Sequence, residues 1–317
     1  MCDSRLKSCT CRVPMRHIRN TPEGWSFNPS EPRSRFLTAC LAVAGVLIAV
    51  YIAAFQIHLL RIVWDPVFGH ASSESVLNSG ASRVLPIPDA ALGALLYLTQ
   101  TVLLLVGGER RWRDRPWATI ASGTVALLLG FSGVVLIIIQ PVVIGSWSLL
   151  CLGSALISWI ILRRSAAELV AALQVIHERW ARLQDWYIPP IRPPKAIKLH
   201  REHETVSPWF RGIDHQWHLN TCAGLGLFTL LLPWLFGIYG VGADSISIAG
   251  ALALSSSLIA MSEIARPLRL INVASGALLI FWFLGEPYHA ELWIAAFVGL
   301  ALCSLCLYRG EIFNSYG

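Results

Sequence analysis

Ser148 and Cys151 stand three residues apart in the run Gln140-Pro-Val-Val-Ile-Gly-Ser-Trp-Ser-Leu-Leu-Cys-Leu152. On a helix that spacing puts a hydroxyl and a thiol on one face. Two thiols so placed could close and release a disulfide, whereas a thiol beside a serine has no partner for that cycle. The segment between residues 57 and 86 contains no cysteine to supply one. It does hold groups suited to an interface or to proton transfer. Trp64 and Phe68 are amphipathic anchors, Asp65 precedes Pro66, and His58 and His70 flank the stretch. Asp65 fits a turn-fixing role before Pro66 as well as a proton-transfer role. Ser72 or Ser73 can cap a short helix running through Val76 and Leu77.

Other candidate groups lie elsewhere. Cys303-Ser-Leu-Cys306 is a second helical pair, read either as small-residue packing or as a redox or metal pair. Cys2, Cys9 and Cys11 read as free thiols, with lipidation or metal binding as the alternatives. His200, His203, His215 and His218 stand among Glu202, Glu204 and Asp214. Such density suits zinc, but a polar, membrane-proximal segment needs the same residue types, and no metal site is assigned. There is no phosphate-binding loop, nucleophile elbow or metalloprotease helix motif.

The elements that must position these groups are membrane spans. Of the 317 residues, 55% are hydrophobic and 14% charged, against roughly a quarter charged in soluble domains. Eight apolar runs are long enough to cross a bilayer as helices: 36–56, 87–107, 117–139, 141–162, 220–240, 245–263, 269–285 and 289–308. The last two are the weakest, because Glu286 and Glu291 fall at the turn between them. Alternating the spans puts 23 of the 25 Lys and Arg on one side, leaving Arg61 and Arg83 on the other. By the positive-inside rule both termini are cytoplasmic. The same clustering argues that the net charge of +6 serves orientation and not nucleic acid. The scarcity of charge within the spans argues against a transporter or proton pump. The tail before residue 36 is too long and polar for a secretory signal, so the first span is expected to persist.

Between the fourth and fifth runs, Ala166, Leu169, Leu173, Ile176 and Trp180 recur at helical spacing. This predicts an amphipathic helix lying at the inner membrane face. Ile188-Pro-Pro-Ile-Arg-Pro-Pro194 follows as a stiff connector. The last four runs repeat internally. Leu219-Asn-Thr-Cys-Ala-Gly224 matches Ile271-Asn-Val-Ala-Ser-Gly276, and Leu232-Pro-Trp-Leu-Phe-Gly237 matches Ile280-Phe-Trp-Phe-Leu-Gly285. Each copy reads as a two-helix hairpin. Its Asn is placed to cap the helix start, and Gly224 and Gly276 are placed for close helix approach. The pattern resembles the SPW-repeat membrane family. The literal Ser207-Pro208-Trp209 lies in the linker and is taken as chance.

Four ordered motifs in the first half carry a second resemblance. These are Trp64-Asp-Pro-Val-Phe-Gly69, Val76-Leu-Asn-Ser79, Pro88-Asp-Ala-Ala-Leu-Gly-Ala94 and Ile144-Gly-Ser-Trp-Ser-Leu-Leu-Cys-Leu152. Together they resemble the bacterial vitamin K epoxide reductase family over roughly residues 36–163. The resemblance implies an all-α integral membrane protein whose first part is a four-helix bundle holding a quinone (ubiquinone or menaquinone) near its outer face. It implies thiol oxidation by a Cys-x-x-Cys at positions 148–151, with electrons passed to the quinone. It places Trp64, Asp65, Phe68 and Ser79 at the cofactor. Membrane lipid, quinone and an extracytoplasmic thiol protein are the implied partners, and a bacterial inner membrane the implied location. In this chain the pair is Ser148 and Cys151. Two readings stay open: a degenerate quinone-linked thiol oxidoreductase, or a non-catalytic quinone- or lipid-binding scaffold. The organisation read from the sequence is a tail (1–35), the bundle (36–163), a helix and Pro-rich linker (164–216), and a repeat domain (217–317).

Overall fold

A computed structural model describes residues 21, 22, 25, 27–80, 88–183, 217–285 and 290–307. Among these the architecture is helical. Helix α1 (Pro32–Gln56) starts on a proline, whose fixed φ and missing N–H suit a first turn. The short α2 (His70–Leu77) lies in the following loop. Next come α3 (Asp89–Leu105), the single turn α4 (Arg111–Asp114) and α5 (Pro116–Ile139). A π-helical turn over Gln140–Ile144 closes α5 and ends on Gly145, whose φ of 67° favours glycine. Helix α6 runs Leu149–Leu183. The second half contains α7 (Trp217–Phe236), α8 (Val241–Ala260), α9 (Ile271–Gly285) and α10 (Ala290–Leu307).

Each of the eight apolar runs is therefore a helix. Six helices among the described residues are long and apolar enough to cross a membrane, while α3 and the Trp293–Leu307 part of α10 are shorter apolar helices. The protein is an integral membrane protein, and its many exposed Leu, Val, Phe and Trp side chains are the lipid-facing surface such a fold requires.

The first bundle closes around Tyr97. Its ring lies over Gly45 of α1, where an added Cβ would come within 2.5 Å of the ring. Its hydroxyl donates to the Ser154 carbonyl at 2.7 Å and pairs with the Ser158 hydroxyl at 2.7 Å. One side chain thus ties α1 and α3 to α6.

The amphipathic helix expected at the inner membrane face is not a separate element. No glycine or proline interrupts residues 154–183, so the fourth span continues straight through Arg163 and Arg164 as the rest of α6. Leu173 and Trp180, on the apolar stripe expected to meet the membrane, are exposed, and Ser165, Glu168, Ala171 and Ala172 are buried against the rest of the protein. Glu168 holds the guanidinium of Arg111 in a two-pronged ion pair, Nε to Oε1 at 2.6 Å and Nη2 to Oε2 at 2.8 Å. Arg111 also donates to the Leu103 carbonyl at 2.5 Å, and Ser30 donates to Glu168. Trp25, Phe27, Trp112 and Ala171 pack beside this pair, and Trp25 donates to Gln174 at 3.1 Å. The extension of α6 therefore buries a charge pair and an aromatic cluster against the segments that flank α1 and α3.

The second half has its own core, with Leu232, Ile246, Ala253, Leu279, Val298 and Leu302 among its buried members. The duplicated hairpins are present, but in a different register from the motif match. Gly224 has nothing within 4 Å of an added Cβ. Gly226 is the close-contact residue: a Cβ there would sit 2.5 Å from the backbone nitrogen of Leu254, and one at Gly250 would sit 2.3 Å from that of Leu230. In the second hairpin Gly276 and Gly299 do the same, each with the other's carbonyl oxygen within 2.7 Å of the added Cβ. The matching helices are thus offset by fifty residues (226 to 276) and forty-nine (250 to 299). Nor does either Asn cap its helix start. Asn220 is exposed, whereas Asn272 is buried and bonds Ser256 and Ser257 of α8. The two halves meet where Leu230, Ala251 and Ile259 join the core that holds Tyr97, and where Trp234 meets Phe68 edge-on at 6.2 Å.

Candidate functional site

The loop after α1 is fastened to the start of α6 by one carboxylate. Asp65 Oδ1 accepts the amides of Val67 at 3.0 Å and Phe68 at 2.9 Å, which fixes the turn at Pro66. Its Oδ2 accepts the Leu149 amide at 2.9 Å and the Ser73 hydroxyl at 2.5 Å. A carboxylate on the first amides of a helix satisfies an otherwise orphaned donor and meets the positive end of the helix dipole. Burial pushes the Asp65 carboxyl up, but the bonds from Ser73, Leu149, Phe68 and Val67 outweigh it and hold the pKa below the usual carboxylate value.

Ser73 carries this network to the redox position. Its hydroxyl lies 3.0 Å from that of Ser148. The Ser148 amide donates to Gln140 Oε1 at 2.8 Å, so the π-turn residue holds the same spot. Ser72 bonds both the carbonyl and the amide of Trp147, at 2.7 and 3.0 Å. The two serines expected to cap α2 do not cap it. That helix begins at His70 after Gly69, and both hydroxyls turn to the α6 N-terminus, where unpaired backbone groups compete for them.

Cys151 sits one turn further in, against the Ser148 hydroxyl, and is 6% exposed. Around it are Ile52, Phe55, Val63, Val76 and Leu77, with Ile144 and Ala90 alongside. A polar rim borders this apolar cluster. Gln56, near the end of α1, donates through Nε2 to Asp89 Oδ1 at 2.6 Å and to the Leu77 carbonyl at 3.4 Å. Its Oε1 is buried and has no hydrogen-bond partner among the described residues.

Of the loop residues singled out from the sequence, Asp65 and Phe68 are brought to the α6 N-terminus. Phe68 stacks on Trp147 at 6.1 Å with its ring tilted 24°. Trp64 is 68% exposed, with its amide on the Tyr51 hydroxyl. Ser79 follows α2, two residues past Leu77, with its amide on the Val76 carbonyl. Ser73, Gln140 and Gln56 were not singled out for the site. The available signal was weak: a lone glutamine near the end of each of two apolar runs. His200, His203 and His215, the Pro-rich connector and Cys2, Cys9 and Cys11 lie outside the described residues. His218 is buried near the start of α7. No group of three or more His, Cys, Asp or Glu able to hold a metal occurs among the described residues.

The fold defines an all-helical integral membrane protein with a buried thiol at one end of a four-helix bundle, beneath a loop pinned by a carboxylate. Residues 36–165, less than half of the chain, match the vitamin K epoxide reductase family, one of membrane thiol oxidoreductases. No curated protein and no solved structure matches the chain.

Proposed function

We propose that this protein binds a membrane quinone beside Cys151 without running a thiol–disulfide cycle there. The observation that carries this reading is the state of position 148. Its side chain is a hydroxyl, buried and bonded to Ser73, where a disulfide cycle needs a second sulfur. Cys151 is buried as well, which keeps a protein thiol from reaching it.

The residues present fit a quinone headgroup. Ile52, Phe55, Val76 and Leu77 offer an apolar bed, and Gln56 Oε1, with no partner among the described residues, is an acceptor for a hydroxyl of the reduced quinol, since the oxidised quinone has no donor to give it. A bound quinone supplies two-electron, two-proton redox chemistry. Asp89 accepts from the Gln56 amide nitrogen, which fixes the amide and leaves Oε1 as the acceptor. Asp65 holds the loop closed over the α6 N-terminus. With both termini cytoplasmic, this end of the bundle faces outward, and the membrane is a bacterial inner membrane.

Quenching of tryptophan fluorescence by titrated quinone and quinol tests binding. Gln56→Leu is expected to weaken quinol binding about tenfold, the worth of one hydrogen bond to a buried acceptor, and to leave binding of the oxidised quinone nearly unchanged. Quinone reduction driven by a small dithiol tests the missing cycle. Wild type and Cys151→Ala are expected to give equal rates, and Ser148→Cys a higher rate than either. Wild-type turnover that disappears in Cys151→Ala would overturn the reading in favour of a working oxidoreductase.

A further inference from the structure

The second bundle holds a thiol pair that the first-half site does not use. Cys222 of α7 and Cys306 of α10 are both fully buried, with their sulfurs 3.8 Å apart. The sequence suggested Cys303 as the partner of Cys306. In the fold Cys303 instead points its sulfur at the Val273 carbonyl, at 3.7 Å.

The duplication explains why the sulfurs meet. Cys222 lies fifty residues before Asn272, and Ser256 fifty before Cys306. The contact between Cys222 and Cys306 therefore repeats, with the copies exchanged, the bond between Asn272 and Ser256. Each unit contains two helices, so both copies run in the same direction and the approximate two-fold axis lies along the helices. On one side of that axis, α8 and α9 are joined by hydrogen bonds and by the short connection over 261–270. On the other side, α7 and α10 meet at two sulfurs 84 residues apart in sequence. Thiols are weak hydrogen-bonding groups, so this seam lacks the tie its counterpart has.

The geometry points to Cys222 and Cys306 as an oxidisable dithiol that closes into a disulfide and staples the first helix of the second bundle to its last. Burial selects the oxidant. A protein thiol cannot reach two fully buried sulfurs, so the oxidant the pair calls for is a small neutral molecule such as hydrogen peroxide. One thiolate attacks the peroxide, breaking the O–O bond and releasing hydroxide, to give a sulfenic acid. The second sulfur then displaces the sulfenic hydroxyl as water and forms the S–S bond. In sum two thiols and one peroxide give one disulfide and two waters.

This pair is separate from the site at Cys151. Cys222 precedes Trp234 by twelve residues, about 18 Å along a helix, and Trp234 is the residue that touches Phe68. Its test is therefore independent of the quinone reading.

The full-length protein in proteoliposomes is treated with hydrogen peroxide, alkylated and mapped by peptide mass. The expected product is a 222–306 cross-linked peptide, lighter by two hydrogens, present in most molecules and reversed by a phosphine reductant. Cys303→Ser should keep the cross-link and Cys306→Ser should abolish it. The oxidised wild type should also unfold at a higher temperature than the reduced form. Both cysteines still alkylated after treatment, or a Cys303–Cys306 linkage in their place, would overturn the proposal. The wild-type map carries the test even if a variant fails to fold.

Discussion

The two bundles handle their polar groups in opposite ways. The first gathers them at its ends: Asp65, Ser73 and Ser148 at one, Arg111 and Glu168 at the other, with the Tyr97 hydroxyl between. The second is built on repetition. Its glycines face each other at matching places in both hairpins, and its polar or sulfur pairs occur where the copies meet. Polar groups at the end of a bundle can meet water, a headgroup or a ligand. Groups at the seam of a duplicated bundle meet only each other. On the proposed reading, chemistry toward a partner belongs to the first half, and the second half packs around it and ties itself together.

The sharpest way to break this contrast is at the far end of the first bundle. Glu168→Ala strands a guanidinium whose side chain is 0% exposed. It is expected to cost about 3–5 kcal/mol, the usual penalty for removing one partner of a buried pair. Unfolding in a detergent titration would measure it, and a loss near zero would mean the pair is not what anchors the end of α6. The next effect sharpens the account of the second bundle. Gly250→Val pushes a side chain into the Leu230 backbone and should cost about 1–3 kcal/mol, while Gly224→Val should stay within about 0.5 kcal/mol. Equal losses in the two variants would show that the copies superimpose in the motif register after all.

Asp65→Asn comes third. Losing the charge at the α6 start should cost about 1–2 kcal/mol at neutral pH. The sign with pH follows from the lowered carboxyl. In the unfolded chain Asp65 titrates near pH 4, and in the folded protein below that. Its contribution is complete above about pH 4 and is lost as the pH falls through the folded value. Unfolding followed from pH 6 downward should show a steeper decline in wild type than in Asp65→Asn, and parallel curves would remove Asp65 from that role. The smallest effect is Ser73→Ala, at about 1 kcal/mol or less, with the Ser148 hydroxyl left to a weaker partner.

Much of this was legible from the chain. A run of about twenty apolar residues has few alternatives to a spanning helix, and each of the eight became one. The four ordered motifs around Asp65, Phe68 and Cys151 carried the resemblance to the family that residues 36–165 match. Other features needed the fold. The end of a span is read from where charge begins, yet Arg163 and Arg164 stay helical. Arg164 is held by Thr38 and Ser34, each at 3.1 Å, and no residue there breaks the backbone ladder. Ser72 and Ser73 carry the composition of a helix cap, but whether a hydroxyl caps its own helix or a neighbour's depends on which helix end comes near. Gly224 and Gly226 are indistinguishable in composition. Only the facing backbone of Leu254 decides which of them must be glycine.

Helix α6 starts at the carboxylate of Asp65 and carries Glu168 and Gln174 in its second half. At 1.5 Å per residue its 35 residues span about 52 Å, more than the hydrocarbon thickness of a bilayer. The helix is held by side chains from elsewhere in the chain at two well-separated places, where Ser148 meets Ser73 and where Ala171 packs beside Trp112. One continuous piece of backbone thus links the site to the charge pair at the opposite end of the bundle.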